Sequence, residues 1–323
     1  MTTAPAIPAF VGSLQPWLTQ CEEMLGRFAA GHVPEVSGPA MDTLRAGGKR
    51  VRPMMLFCSS SLGEDDRLTL VSAAAAVELV HMATLVHDDL IDGATTRRGR
   101  PTVARANGAD AAINVGDFLF ARAFAELTRV GSPAAVSALA DASLELARGE
   151  MDQQRAAGDL GLTVDAYMSR CRRKTGALFA VACRLGALLS GASDEAQLRL
   201  AAFGTHVGVA FQILDDILDV AGSPARTGKR RGTDILSGTV TLPQILAIEI
   251  EPALGNEIGR VAAGGDGLDA LCDRLAAHQG VAAARQRALD EVALAMASLD
   301  GDIGGADTDA LRVIAAGVVD RFA

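Results

Sequence analysis

Residues 70–91 are apolar on nearly every side of a helix, interrupted chiefly by Glu78 and His81. A helix with no polar face belongs inside a protein, so other helices must surround it. Its end is acidic: Asp88, Asp89 and Asp92 come just before Gly93, a residue suited to stopping a helix. A helix C-terminus already carries partial negative charge and favours cations, not carboxylates. Asp88 and Asp92 are four apart and share a face. Two carboxylates gathered at the unfavourable end of a buried helix call for a cation. Residues 211–222, FQILDDILDVAG, repeat the arrangement with Asp215, Asp216 and Asp219. Both stretches read D-D-x-x-D, and we expect them to face each other.

The rest of the chain fits a helical protein. Of 323 residues, 49% are hydrophobic and only 4% aromatic, with Ala and Leu dominant. Packed helices tolerate that composition better than sheets, which draw on aromatic and β-branched residues. Helical spacing is expected over 14–30, 54–62, 70–91, 109–130, 132–149, 163–190, 195–220 and 244–249. Alanine-rich helices follow from 258. No alternating strand pattern of useful length occurs. The expected fold is all-α, ten or more helices around a deep central cavity, with no linker and so a single domain over 1–323. Residues 1–10, with Pro5 and Pro8, read as a loose arm. A net charge of −9 argues against nucleic-acid binding. Five scattered cysteines without CxxC spacing read as buried thiols of a reducing cytoplasm. We expect no signal peptide and no membrane span, and leave peripheral membrane contact open.

Oxygen-only ligands in this number suit Mg²⁺, which keeps several waters and bridges a few carboxylates to substrate phosphates. Neither motif closes a metal cage alone. Lys49, Arg52, Arg97, Arg98, Lys174 and Lys229 lie in or beside loops near the acidic motifs. Arginine grips phosphate through a fork and lysine as a point charge. Gly47-Gly48 beside Lys49, Arg50 and Arg52 makes a backbone-accessible positive turn. Metal ions for one diphosphate and bare cations for another would give two diphosphate sites. A rival reading takes Glu78-x-x-His81 as half of a di-iron site, but no second E-x-x-H exists to complete it. His81 lies seven residues before Asp88 and projects toward the same face, as a core histidine or a phosphate ligand.

The motifs GGKRVRP (47–53), ELVHMATLVHDDLID (78–92), RRGRPT (97–102), VGDFLFARAF (115–124), GEMDQQ (149–154), KTG (174–176), FQILDDILD (211–219) and GKRRGTD (228–234) together resemble the trans-isoprenyl diphosphate synthases, or polyprenyl synthetases, of long-chain bacterial type. The resemblance implies a Mg²⁺-dependent prenyltransferase, usually a homodimer, that condenses isopentenyl diphosphate with an allylic diphosphate. It implies that Asp88, Asp92, Asp215 and Asp219 serve metal, with Asp89 and Asp216 in support. Arg97, Lys174 and Lys229 would grip the allylic diphosphate, and Lys49, Arg52, His81 and Arg98 isopentenyl diphosphate. Thr175 and Gln212 would line the reacting carbons. Lewis-acid and electrostatic stabilisation of the leaving diphosphate is the implied catalysis. Thr239 stands where many members have lysine.

In that family a bulky residue four or five positions before the first motif limits product length. Those positions hold Thr84 and Ala83, and no Phe, Tyr or Trp occurs between Glu64 and Asp92. Ala76, Val80 and Ala83 form a stripe spanning about 10 Å at 1.5 Å per residue. A long all-trans product is therefore expected, with the alternative that small residues merely let helices pack. Farnesyl or geranylgeranyl synthesis, a non-catalytic partner subunit, and terpene cyclisation are the competing readings. Intact aspartate motifs and an intact 47–53 loop argue against the last two.

Overall fold

In a computed structural model, residues 9–30, 33–61, 63, 66–222 and 230–320 are described. About 78% of the chain is helical. The helices are α1 (Ala9–Ala29), α2 (Pro34–Arg45), α3 (Val51–Cys58), α4 (Arg67–Ile91), α5 (Val103–Asn107), α6 (Ala109–Arg129), α7 (Pro133–Arg155), α8 (Val164–Cys171), α9 (Ala177–Leu189) and α10 (Asp194–Ala221). Beyond them run α11 (Thr233–Ser237), α12 (Leu242–Ile250), α13 (Ala253–Ala262), α14 (Leu268–Ala276), α15 (Gln279–Ser298) and α16 (Thr308–Asp320). The all-helical expectation holds. Two local features differ from it. The 94–101 loop is a hairpin, with β1 (Thr96–Arg97) paired antiparallel to β2 (Arg100–Pro101). Its two-residue turn has positive φ at Arg98 (51°) and Gly99 (75°), as two-residue hairpin turns require. The expected helix over 163–190 is broken by a π-helical turn, Arg172–Gly176.

The chain forms two compact units. The first takes residues up to Leu139, with Val181–Leu200 and Gly301–Leu311; the second takes Ala140–Ala180, Ala201–Asp300 and residues from Arg312 onward. Helices α7, α9, α10 and α16 contribute residues to both.

In the first unit α4 is buried as its composition demands. Leu70, Ala73–Ala76, Leu79, Val80 and Ala83 are all 0% exposed. Among the described residues α4 is the one helix long and apolar enough to cross a membrane, and 72% of that window is buried within the protein. Ala83 and His87 share a face, and a Cβ on Gly116 of α6 would lie 2.0 Å from His87 Nε2. The Ala76–Val80–Ala83 stripe is thus tightly packed core. The five cysteines are free and buried. Burial pushes Cys272 up to about 11 and Cys58 to about 12, so these thiols stay protonated at neutral pH.

The second unit is built on close helix crossings. A Cβ at Gly280 of α15 would sit 2.6 Å from the Ala247 nitrogen of α12. His206 Nδ1 of α10 lies 2.7 Å from Glu291 of α15.

Candidate functional site

The first unit gathers one acidic end and one cationic loop. Helix α4 ends as its sequence suggests: Gly93 takes φ 63°, the Ala94 N–H donates to Asp89 O (2.9 Å), and the Gly93 N–H donates to Leu90 O (3.3 Å). That pair of bonds is a Schellman closure, which only a left-handed residue permits. Asp88 is half-buried and Asp92 exposed, while Asp89 is buried. Arg97, delivered by β1, donates Nε to both oxygens of Asp89, at 2.9 and 2.8 Å. Thr102 ties down the far side of the hairpin, donating to Ala94 O (2.7 Å) and accepting from Arg105 N (3.2 Å).

The 47–53 loop is organised by Arg50, which the sequence marks only as one cation of a positive turn. Arg50 adopts left-handed backbone, φ 48°, immediately before α3. Its guanidinium is buried between Glu22 of α1 and Glu78 of α4; Nη1 donates to Glu78 at 2.8 Å, and Nε and Nη2 donate to Glu22. Glu78 is therefore a structural counter-ion, which excludes the di-iron reading of Glu78 and His81. The signal was visible: Glu78 is the one acidic residue within an otherwise apolar stretch, and it needs a partner. Gly48 must be glycine for space, since a Cβ there would lie 2.8 Å from Arg50 Nη1 and 3.3 Å from Arg98 Nη1. The loop and the hairpin tip are thereby brought together.

His81 is strongly perturbed by this assembly. Burial first, then the charges of Arg52, Arg98, Arg97 and Arg50, push it well below the ordinary histidine range of 6.5. It is neutral at physiological pH and offers one donor and one acceptor nitrogen. Arg52 is also pushed down by burial, to about 10, and stays charged. A cavity of about 350 Å³ opens here. Arg50, His81, Arg97 and Arg98 line it, together with the carboxylates of Asp42, Glu78 and Asp89 and the apolar side chains of Met82, Leu85, Val86, Val103 and Ala106. Cationic and apolar side chains in one cavity suit a ligand with an anionic head and a hydrocarbon tail. Of the residues expected at one diphosphate, Arg52, His81 and Arg98 are brought together. Lys49 is exposed on the same loop.

The second unit carries the other motif. Asp215 is half-buried, and Asp216 is buried. Burial pushes Asp216 up to about 7, opposed by hydrogen bonds from Tyr167 (2.6 Å) and Gln212 (2.7 Å). Asp219 serves the backbone: it accepts from the N–H groups of Thr233 and Asp234, each at 3.1 Å, and from the Thr233 hydroxyl. It thus caps α11, and burial raises its pKa. Three of its lone-pair positions are used in this way, whereas Asp215 is half-buried on the same helix. Lys229 lies outside the described residues. Thr239 donates its N–H to Asp234 O (2.8 Å), and its hydroxyl pairs with Ser237 (3.0 Å).

Lys174 and Thr175 sit in the π turn, a wider turn that often marks functional sites. Two glycines pinch it. A Cβ at Gly149 of α7 would lie 2.5 Å from the Lys174 nitrogen, and one at Gly208 of α10 would lie 2.8 Å from Gly176 Cα. Lys174 Nζ pairs with Glu150 at 2.5 Å. Thr175 donates to Gln212 Oε1 at 2.7 Å, so these two expected neighbours are indeed in contact.

Among the described residues no group of three or more His, Cys, Asp or Glu side chains could hold a metal ion by itself.

A profile of the polyprenyl synthetase family matches residues 33–265. The chain belongs to the polyprenyl synthetase family. It is an enzyme of the prenyltransferase type. It is 40% identical over 245 residues to a heptaprenyl diphosphate synthase component 2 of Geobacillus stearothermophilus, covering 76% of this chain and 77% of that one. It is 34% identical over 257 residues to the octaprenyl diphosphate synthase of Escherichia coli, covering 78% and 80%. A crystal structure of a polyprenyl synthase from Caulobacter crescentus, complexed with calcium and isoprenyl diphosphate, superposes with a TM-score of 0.90 at 32% identity and covers 97% of each chain. Sequence relatives are named heptaprenyl, nonaprenyl and octaprenyl diphosphate synthases, and similar solved structures also include geranylgeranyl pyrophosphate synthases.

Proposed function

We propose that this enzyme condenses isopentenyl diphosphate with an allylic diphosphate to build a long all-trans polyprenyl diphosphate, with Mg²⁺ as its metal. We propose also that residues 1–323 act as one catalytic domain, as a homodimer in the cytoplasm. The observation that carries the reading is the cavity lined by Arg50, Arg97, Arg98 and a neutral His81 together with apolar side chains such as Met82, Leu85 and Val86. The family profile spans both units, which supports one domain.

Asp88, Asp92, Asp215 and Asp219 would hold the metal. Bound there, it would neutralise diphosphate charge and help that group leave. The chain's own residues do the rest. Lys174 and Arg97 hold the allylic diphosphate, with Lys229 as a further candidate. Lys49, Arg52, Arg98 and His81 hold isopentenyl diphosphate, His81 by a hydrogen bond that neither adds nor removes charge. The allylic C–O bond breaks, and the electron pair leaves with diphosphate. The isopentenyl double bond supplies the pair for the new C–C bond, and a proton is then lost to the departing diphosphate. Thr175 and Gln212 present oxygen dipoles to the carbon as positive charge develops.

The test is the purified chain with Mg²⁺, isopentenyl diphosphate and farnesyl or geranyl diphosphate. Elongated product is expected, and its chromatography reads the chain length. No elongation by folded protein would refute the reading. A second reading is favoured by the relatives named component 2 of heptaprenyl diphosphate synthases. On it, the chain is the catalytic half of a two-protein enzyme. Full activity of the chain alone rejects that reading.

A further inference from the structure

Tyr167 is the chain's single tyrosine and is 0% exposed. Its hydroxyl donates to Asp216 Oδ2 at 2.6 Å, while Gln212 Nε2 donates to Asp216 Oδ1 at 2.7 Å. Gln212 Oε1 in turn accepts from the Thr175 hydroxyl at 2.7 Å. The ring of Tyr167 lies under the Arg170 guanidinium, 5.2 Å from it, and Arg170 is anchored by a 2.6 Å bond to Val240 O. Four side chains from α8, α10 and the π turn therefore form one line of hydrogen bonds.

The line has a fixed polarity. Both Asp216 oxygens act as acceptors, Oδ2 from Tyr167 and Oδ1 from Gln212, so Gln212 turns its amide nitrogen toward Asp216. The Gln212 carbonyl must then face Thr175, and the Thr175 proton is committed to it. What Thr175 presents outward is lone pairs. A reversed amide would set carbonyl against carboxylate and free Thr175 to point its proton outward. Before a carbon developing positive charge, that reversal is unfavourable. Tyr167 occupies the other Asp216 oxygen and keeps Oδ1 aimed at Gln212. Polarisation along the line strengthens each bond in turn.

We propose that Tyr167 and Asp216 are positioning residues that orient Gln212 and Thr175, so that the enzyme meets the allylic carbon with lone pairs and not with a hydroxyl proton. This rests on the reading of Thr175 and Gln212 given above. It assigns Asp216 to the carbon end of the substrate, although it neighbours a metal-binding aspartate.

The test is a double-mutant cycle in steady-state condensation assays, with folding checked by circular dichroism. Tyr167→Phe keeps the ring and removes the donor. Expected is a fall in kcat of about tenfold or more, as for loss of one oriented hydrogen bond in the transition state, with KM for both diphosphates within about twofold of wild type. In a Thr175→Val background the same substitution should change kcat by less than about twofold, since its effect passes through Thr175. An equal loss in both backgrounds, an unchanged kcat, or a raised KM for the allylic diphosphate overturns the proposal. If Tyr167→Phe does not fold, Asp216→Asn enters the same cycle with the same expected coupling. An inactive wild-type protein would instead refute the functional reading itself, whereas an active wild type without coupling refutes only the positioning role.

Discussion

Replacing Arg50 with Met tests how the cationic loop is held. Arg50 is 9% exposed and Glu78 3%. The substitution removes the 2.8 Å bond and leaves a carboxylate buried beside α4. Removing one partner of a buried ion pair costs about 3–5 kcal/mol, chiefly from the uncompensated charge that remains. The bonds to Glu22 add little, because that side chain is 45% exposed and exposed pairs are worth at most about 1 kcal/mol. The left-handed backbone at residue 50 penalises Met and Arg alike, so it cancels. The sum is a loss of about 3 kcal/mol or more, read as the shift in urea midpoint followed by circular dichroism. Arg50→Met/Glu78→Met should recover most of it, because a buried pair replaced by apolar groups is often neutral. KM for isopentenyl diphosphate should rise in the single variant as the loop carrying Lys49 and Arg52 loosens. A loss below about 1 kcal/mol, or a double variant no more stable than the single one, would refute the reasoning.

His81 gives a pH signature. Its folded pKa lies below the free value of 6.5, so on acidification through 6.5 the unfolded chain takes up a proton that the folded chain refuses. Its contribution to stability is therefore full above pH 6.5 and falls as pH drops, and His81→Gln should flatten that part of the urea-midpoint profile. Gly208→Ala should destabilise by about 1–3 kcal/mol through overpacking and depress kcat, measured by thermal melting and condensation assay, because its Cβ would lie 2.8 Å from Gly176. Thr84→Phe, at a half-buried position, should shorten the product on reversed-phase chromatography with little loss of stability. Ala83→Phe, expected from sequence to shorten it too, should first cost stability, because Ala83 is 0% exposed.

Much of this was legible before any coordinates. The 70–91 stretch declared a buried helix, and Gly93 declared its end. Repetition of D-D-x-x-D with nearby cations pointed to diphosphate chemistry. What the sequence hid were partnerships across long separations. Nothing in the local pattern around Arg50 says that it reaches Glu22 and Glu78, each 28 residues away. Asp219 looked equivalent to Asp92, yet it caps a short helix 14 residues on. Tyr167 lies outside the quoted motifs, and only the fold sets it 2.6 Å from Asp216. The alanine stripe was ambiguous because small residues serve tunnels and close packing alike, and His87 against Gly116 favours packing on that face.

The π turn also decides which way the next helix faces. Closing a ring one residue wider than the α-helix inserts one residue, and one residue is about 100° of rotation. Leu178, Phe179 and Ala182 of α9 are buried in that rotated phase. Deleting a single residue within Arg172–Gly176 would let the segment wind as ordinary α-helix. It would swing those three side chains about a quarter turn out of the core. The insertion that carries Lys174 and Thr175 is thus also the phase setting for everything in α9 downstream of it.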